Sequence, residues 1–222
     1  NDALFPIGGY SHSQGLETYI QKDIVHDEKT AAEYIEKKLK LNLAYTDLLG
    51  VRLAYEYALK EDVQALDDLE ELLGASRIPM EQREASRKMG SRFIKTITGL
   101  PKENIPMEKK GVFAEYLSAR RGKPVSHCCA YGVFCAALGI SEEETLYHYL
   151  YAQTSAMVTN CVKTIPLSQS AGQKLLCGCY EVFEEILSDI QDCTEDDLCL
   201  SAPGFDIRGI QHEKLYSRLY MS

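Results

Sequence analysis

The chain has 222 residues, of which 45% are hydrophobic and 26% charged, as is usual for a globular protein with an ample core. Its 24 basic and 33 acidic residues leave a net charge of −9, which argues against a nucleic-acid-binding surface and against anionic membranes. No signal peptide or long apolar run is present, so we expect a cytoplasmic protein with no membrane association and reduced cysteines. The length, without a compositional break, favours one domain over residues 1–222.

The first fifteen residues form a predicted irregular entry loop, punctuated by a proline and two glycines. Ser11 or Ser13 is expected to cap the short helix that follows. His12 lies where it would be exposed enough to act as a ligand or a partner contact. The competing interpretation is a capping or core-edge histidine.

Apolar side chains then recur at helical spacing over most of the next hundred residues. Helices are predicted to begin near Thr30-x-x-Glu33, Asp47, Pro79 and Met107. The helix that begins at Pro79 is basic. Its arginines could grip the carboxylates of a partner, or they could form a solvated face.

The stretch 141–176 carries the strongest structural signal in the chain. Its capping box, Ser141-x-x-Glu144, precedes apolar and small residues at helical spacing with little formal charge. A proline ends this helix, and Ser170 is expected to cap the next one. No segment alternates strictly with period two. The sequence therefore predicts an all-α protein, a multi-helix array around a central buried helix at about 142–165.

The last helix is predicted from Ile207 to about Leu219, and the C-terminal stretch is unusually apolar for a chain end. Its apolar residues surround a single arginine, Arg218. Tyrosine, arginine and methionine are enriched where proteins meet. The stretch could dock on its own domain or into another subunit, and its composition favours the second interpretation.

Motifs for autonomous catalysis are missing: the sequence has no P-loop, no dinucleotide fingerprint, no zinc-protease helix motif and no nucleophile elbow. The cysteines at 128–129 and 177–179 lack C-x-x-C spacing, which favours a packing role. His127 and His148 have no second ligand at a fixed spacing. We therefore predict a protein that is not an enzyme and has no cofactor and no metal site.

Three stretches together resemble one family, the urease accessory protein UreF. The stretches are DALFPIGGYSHSQGLET at 2–18, KTIPLSQSAGQ at 163–173 and HEKLYSRLYMS at 212–222. YGVFCAALG at 131–139 fits the same pattern. Each stretch alone is modest, but their order and spacing are specific.

This resemblance implies an all-α, non-enzymatic protein that forms a homodimer. It also implies assembly with the accessory protein UreD (also called UreH) and the GTPase UreG on apo-urease, where nickel is delivered while GTP is hydrolysed. The partner-binding residues that it implies are Tyr10, His12, Arg218, Leu219, Tyr220 and Ser222. Tyr10 and Arg218 are expected to organise these surfaces.

Lys163 lies three residues before Pro166, at a position where the family carries a basic residue. Because an unpaired buried ammonium would cost several kcal/mol, we expect Lys163 to face a carboxylate or to line a polar inner passage.

Two other functions remain open at this point. The protein could regulate GTP hydrolysis, with an arginine such as Arg218 stabilising phosphate charge. It could also carry nickel directly, through His12, His127 or the cysteines.

Overall fold

The computed structural model describes residues 5–101, 110–200 and 202–221. Helices joined by short loops make up these ranges, and no β-strand occurs in them, which confirms the all-α prediction. The first six helices are α1 Leu16–Gln21, α2 Glu28–Lys38, α3 Leu49–Leu59, α4 Val63–Ser76, α5 Met80–Thr98 and α6 Lys110–Ala119. The others are α7 His127–Leu138, α8 Glu142–Thr164, α9 Gln169–Gly178, α10 Tyr180–Asp189 and α11 Pro203–His212. The predicted start of α6, residues 107–109, lies outside the described residues.

Helices α2 and α3 are one continuous element, because a ten-residue π-helical segment, Leu39–Leu48, joins them without a break. The element begins one turn earlier than predicted. Asp27 is its N-cap, and the Asp27 side chain and Thr30 complete a capping box. The predicted helix start at Asp47 is wrong, because Asp47 lies inside the continuous element.

The most thoroughly buried helix is α7, whose small residues let its neighbours approach closely. Its main partner is α3. At Gly132 the two backbones almost touch: a Cβ atom there would lie 2.5 Å from the carbonyl oxygen of Val51 and 3.2 Å from Cβ of Ala54. The absence of a side chain at Gly132 therefore sets the distance between α3 and α7.

Gly132→Ala is expected to lower the free energy of unfolding by about 1–3 kcal/mol, because the methyl group must push α3 away from α7. The higher helix propensity of alanine, about 1 kcal/mol, offsets only part of this cost. Gly178→Ala is the matched control, since a Cβ atom at that helical position meets nothing within 4 Å. Urea unfolding of both variants checks the prediction, and equal stabilities would contradict it.

The predicted central helix is confirmed as α8, which contacts helices from both halves of the chain. Ser141 caps it: the Ser141 Oγ atom accepts a hydrogen bond from the backbone N–H of Glu144 at 3.2 Å. The next helix begins earlier than predicted. Ser168, not Ser170, is its N-cap, because Ser168 Oγ accepts from the Ala171 N–H.

The final helix differs most from its prediction. Helix α11 begins at Pro203 and ends at His212, whereas the apolar spacing predicted a helix from Ile207 to about Leu219. Residues 213–221, called the tail below, lie outside any helix. Across the described ranges, no helix is long and apolar enough to cross a membrane.

Candidate partner-binding surface

The tail runs back over helix α1 and is held there by its backbone. The N–H groups of Leu219 and Tyr220 donate to the carboxylate of Glu17, at 2.8 and 3.0 Å. The next N–H, that of Met221, donates to the carbonyl oxygen of Ser11 at 2.9 Å. The two ends of the described chain are thus joined to each other.

Four ionisable side chains, which we call the tail clamp, lie beneath this backbone: Glu17, Glu81, His212 and Arg218. His212 is almost fully buried, with Nδ1 at 2.7 Å from Glu81 and Nε2 at 3.1 Å from Glu17. Arg218 donates to the second oxygen of Glu81. Carboxylates only accept hydrogen bonds, so each ring nitrogen of His212 that carries a proton has an acceptor facing it.

While its backbone is held inward, the tail presents apolar side chains outward. We call three of them the tail surface: Tyr216, Leu219 and Met221. Their exposed fractions are 106%, 76% and 48%. Large apolar side chains that remain exposed within so short a segment mark a binding surface more often than a solvated loop.

The tail therefore docks on its own domain, which the composition had made the less favoured interpretation. The docking contacts are backbone amides and ion-pairing side chains, which apolar periodicity does not report. Docking of the outward face into another subunit stays a prediction. Tyr220 is half-buried, and its hydroxyl accepts from Thr164 Oγ1 at 3.3 Å. This contact ties the tail to the end of α8.

Some of the predicted partner-binding residues lie in the described part of the chain, and others lie outside it. The structure places Arg218, Leu219 and Tyr220 in one segment beside the entry loop, through the contact of Met221 with Ser11. The backbone of Tyr10 lies in the short 3₁₀-helix Gly9–Ser11 next to this contact. The side chain of Tyr10 and all of Ser222 lie outside the described residues.

Of the two interpretations of His12, exposure is wrong and burial at the edge of the core is confirmed, because only 5% of the residue is accessible. Its carbonyl oxygen accepts from Asn160 Nδ2 at 3.0 Å, which anchors the entry loop to α8. Burial lowers the pKa of His12, and the nearby charges of Lys88 and Arg92 lower it further. His12 therefore positions the loop, and it is not a surface contact in this structure.

The prediction that Lys163 faces a carboxylate or lines a polar inner passage is also wrong. Lys163 is exposed in the last turn of α8, where a cation complements the helix dipole, and no described residue forms an ion pair with it. Among the lysines whose burial the structure describes, Lys38 is the buried one, and its Nζ lies 4.8 Å from the centre of the Phe205 ring. Burial lowers the pKa of Lys38 to about 8.

The histidine and cysteine candidates for metal binding do not converge. His127 is buried against the rings of Phe93, Tyr131 and Tyr149, and burial lowers its pKa to about 4. Of the cysteines at 128–129 and 177–179, only Cys177 is exposed. Within the described ranges, no group of three or more metal-ligating side chains occurs.

The residues that sequence reasoning missed are three members of the clamp: Glu17 and His212, which are buried, and Glu81, which is partly buried. Glu17 and His212 both lie within stretches that carry the family resemblance, and that was the available signal. Glu81 lies outside all three stretches, on a helix whose face had been interpreted from its arginines. No pattern in the sequence indicates that Glu81 contacts residues more than 60 positions away from it.

Comparison with known families agrees with the resemblance. The family model described as UreF matches residues 25–180, which is more than two thirds of the 222 residues. The match includes the core helices α2 to α9, against which the entry loop and the tail are packed. The chain therefore belongs to the UreF family of urease accessory proteins.

Proposed function

We propose that this protein is a scaffold of urease maturation. In this proposal it binds UreD (UreH) through the tail surface and joins it to the GTPase UreG on apo-urease, so that nickel is delivered while GTP is hydrolysed. Family membership supports the accessory role. The observation that carries the partner-binding proposal is the tail itself, which is held inward by its backbone and exposes apolar side chains outward.

The physical argument is preorganisation. A segment that is already ordered loses less conformational entropy on binding than one that must fold at the interface. The tail clamp supplies this order from beneath, with a buried histidine between two carboxylates. The side chains of the tail surface remain available to fill pockets on a partner, as aromatic and aliphatic anchors do in known interfaces.

Arg218→Ala is expected to reduce the capture of UreD on the order of tenfold, because the tail loses its ion pair with Glu81 and its fixed path. Deletion of residues 213–222 is expected to abolish capture. A pull-down with purified UreD measures both. Arg121→Ala removes an exposed arginine that belongs neither to the tail nor to the tail clamp and is the matched control. Undiminished capture by the deletion variant would refute the proposal.

We also propose that the protein is a homodimer and is cytoplasmic; family membership supports the first and composition the second. Sedimentation of the purified protein tests the first, and cell fractionation tests the second.

The two other functions rank lower for structural reasons. An arginine acting on the phosphates of UreG would have to leave Glu81, with which Arg218 forms an ion pair. A nickel carrier would need accessible ligands, whereas His12 and His127 are both buried. UreG turnover with and without this protein tests the regulator. Equilibrium dialysis with nickel tests the carrier.

A further inference from the structure

A cavity of about 370 Å³ opens between the end of α4, the first half of α5 and the segment that leads into α7. A volume of this size falls in the range of small-molecule sites. Its lining is unusually rich in arginine: Arg77, Arg83, Arg87 and Arg120. None of these residues belongs to the tail clamp or the tail surface.

Two of the arginines are already neutralised. Arg77 forms an ion pair with Asp47, with Nη2 at 3.0 Å from Oδ1. Arg120 lies between Asp67 and Glu71, with Nη1 at 2.7 Å from an oxygen of each. These two residues build the walls of the cavity and leave little charge for a ligand.

The other two arginines retain unused hydrogen-bond donors. Arg83 donates to the carbonyl oxygen of Arg77 at 2.9 Å and has no ion-pair partner among the described residues. Arg87 has one ion pair, with Glu84 at 2.8 Å, and is partly exposed. A guanidinium group has five N–H donors, so both residues can donate into the cavity without losing their present contacts.

A third donor lies between them in the sequence. Ser86 is 4% exposed and lines the cavity, yet its Oγ atom has no hydrogen-bond partner in the described part of the chain. A buried hydroxyl without a partner costs free energy, so an isolated one needs an explanation.

The acidic residue Glu70 also lines the cavity, but its carboxylate already accepts hydrogen bonds from other residues of the protein. Burial raises the pKa of Glu70, and hydrogen bonds from Tyr116 and Ser126 act in the opposite direction. Both oxygens of Glu70 accept from the N–H of Ser126, at 3.2 and 2.9 Å. Glu70 thus holds the segment before α7 in place.

We propose that this cavity binds a small phosphate-bearing molecule, to whose phosphate oxygens Arg83, Arg87 and Ser86 donate hydrogen bonds. A phosphate group presents at least three acceptor oxygens in a tetrahedral arrangement, which suits two guanidinium groups and a hydroxyl group on separate side chains. A carboxylate presents only two oxygens in one plane. The phosphate group can belong to inorganic phosphate or to a nucleotide.

The test is a titration of the full chain with inorganic phosphate and with adenosine monophosphate, followed by calorimetry at constant ionic strength. Saturable binding of either ligand supports the proposal. Tighter binding of the nucleotide shows that the rest of the cavity takes the nucleoside. Equal affinities show that the phosphate group alone is recognised. Acetate serves as the carboxylate control, and binding of acetate as tight as that of phosphate would overturn the proposal.

Two variants locate the site. Arg83→Gln and Ser86→Ala are each expected to weaken phosphate binding, by about tenfold for the arginine. Ser86→Ala is expected to retain the stability of the unliganded protein, because it removes a polar group that has no partner. Lys88→Gln removes an exposed charge that does not line the cavity and is the matched control.

Absence of binding to the unmodified chain at millimolar phosphate would refute the proposal. An equal loss of affinity in Lys88→Gln and Arg83→Gln would also refute it, because that result indicates general attraction to the basic face of α5.

Discussion

Glu17→Ala is expected to lower the free energy of unfolding by about 3–5 kcal/mol and to release the tail from α1. The Glu17 carboxylate is buried and accepts hydrogen bonds from the N–H groups of Leu219 and Tyr220. It also faces Nε2 of His212 at 3.1 Å. Removing this carboxylate leaves the buried ring of His212 and the two tail N–H groups without their acceptor, and a buried polar group without a partner keeps its desolvation penalty.

The measurement combines urea unfolding with hydrogen exchange of the tail amides. We expect the amides of residues 219 and 220 to lose most of their protection in Glu17→Ala. Glu184→Ala, which removes an exposed glutamate from α10, is the control for the loss of one negative charge. If the tail amides of Glu17→Ala remained as protected as in the unmodified chain, the clamp would not be what orders the tail.

This result would also connect stability to function. If the tail surface binds UreD as proposed, Glu17→Ala should weaken capture although Glu17 itself is buried and touches no partner. Glu17→Gln, which keeps the shape but loses the charge, should give an intermediate loss. If a variant released the tail and still captured UreD fully, the clamp would not be required for partner binding.

Lys38→Met is expected to stabilise the protein by about 3 kcal/mol at pH 7. The Lys38 side chain is fully buried, and no described carboxylate forms an ion pair with it. Burial lowers its pKa from 10.5 to about 8, although the charges of Asp47 and Asp206 act in the opposite direction and that of Arg77 adds to the lowering. At about 1.4 kcal/mol for each pH unit between the two pKa values, this lowering corresponds to about 3 kcal/mol of stability.

The sign of the pH dependence follows from linkage. Below pH 8 Lys38 is charged in both the folded and the unfolded state, so the full penalty is present. Between pH 8 and 10.5 the unfolded state binds more protons than the folded state, so the stability contributed by this site rises with pH. The advantage of Lys38→Met should therefore shrink over this window and disappear above it.

Unfolding of Lys38→Met and of the unmodified chain at pH 7, 9 and 11 measures this difference. Lys37→Met, at the neighbouring exposed position, is the control and should show no such dependence. A stability difference that stays constant from pH 7 to pH 11 would contradict a buried charge at Lys38.

Much of the helical framework was predictable because its signals are local. The serine cap and the apolar spacing after Ser141 identify α8 within one turn at each end. The packing of α7 was not local information, since its main neighbour is α3, which Gly132 lets approach closely. The continuous element from Glu28 to Leu59 was less predictable, since helical periodicity does not distinguish a π-helical join from a short loop.

The candidate site was only half predictable, and the clamp shows why. Apolar spacing favoured a helix to Leu219, but the helix ends at His212, whose ring lies between Glu17 and Glu81. The Glu17 carboxylate, some 200 positions away in the sequence, accepts hydrogen bonds from the N–H groups of Leu219 and Tyr220. It thereby stabilises a non-helical tail, which no local pattern predicts.

The sequence by itself determined the all-α class, the helix that begins after Ser141, the lack of a catalytic motif and the resemblance to the UreF family. These features depend on neighbouring residues or on short ordered motifs. The tertiary structure alone decided that Lys38 is buried while Lys163 is exposed, and that the tail turns its backbone inward and its apolar side chains outward. Burial and long-range hydrogen bonds depend on which helices pack together, and that is a property of the whole chain.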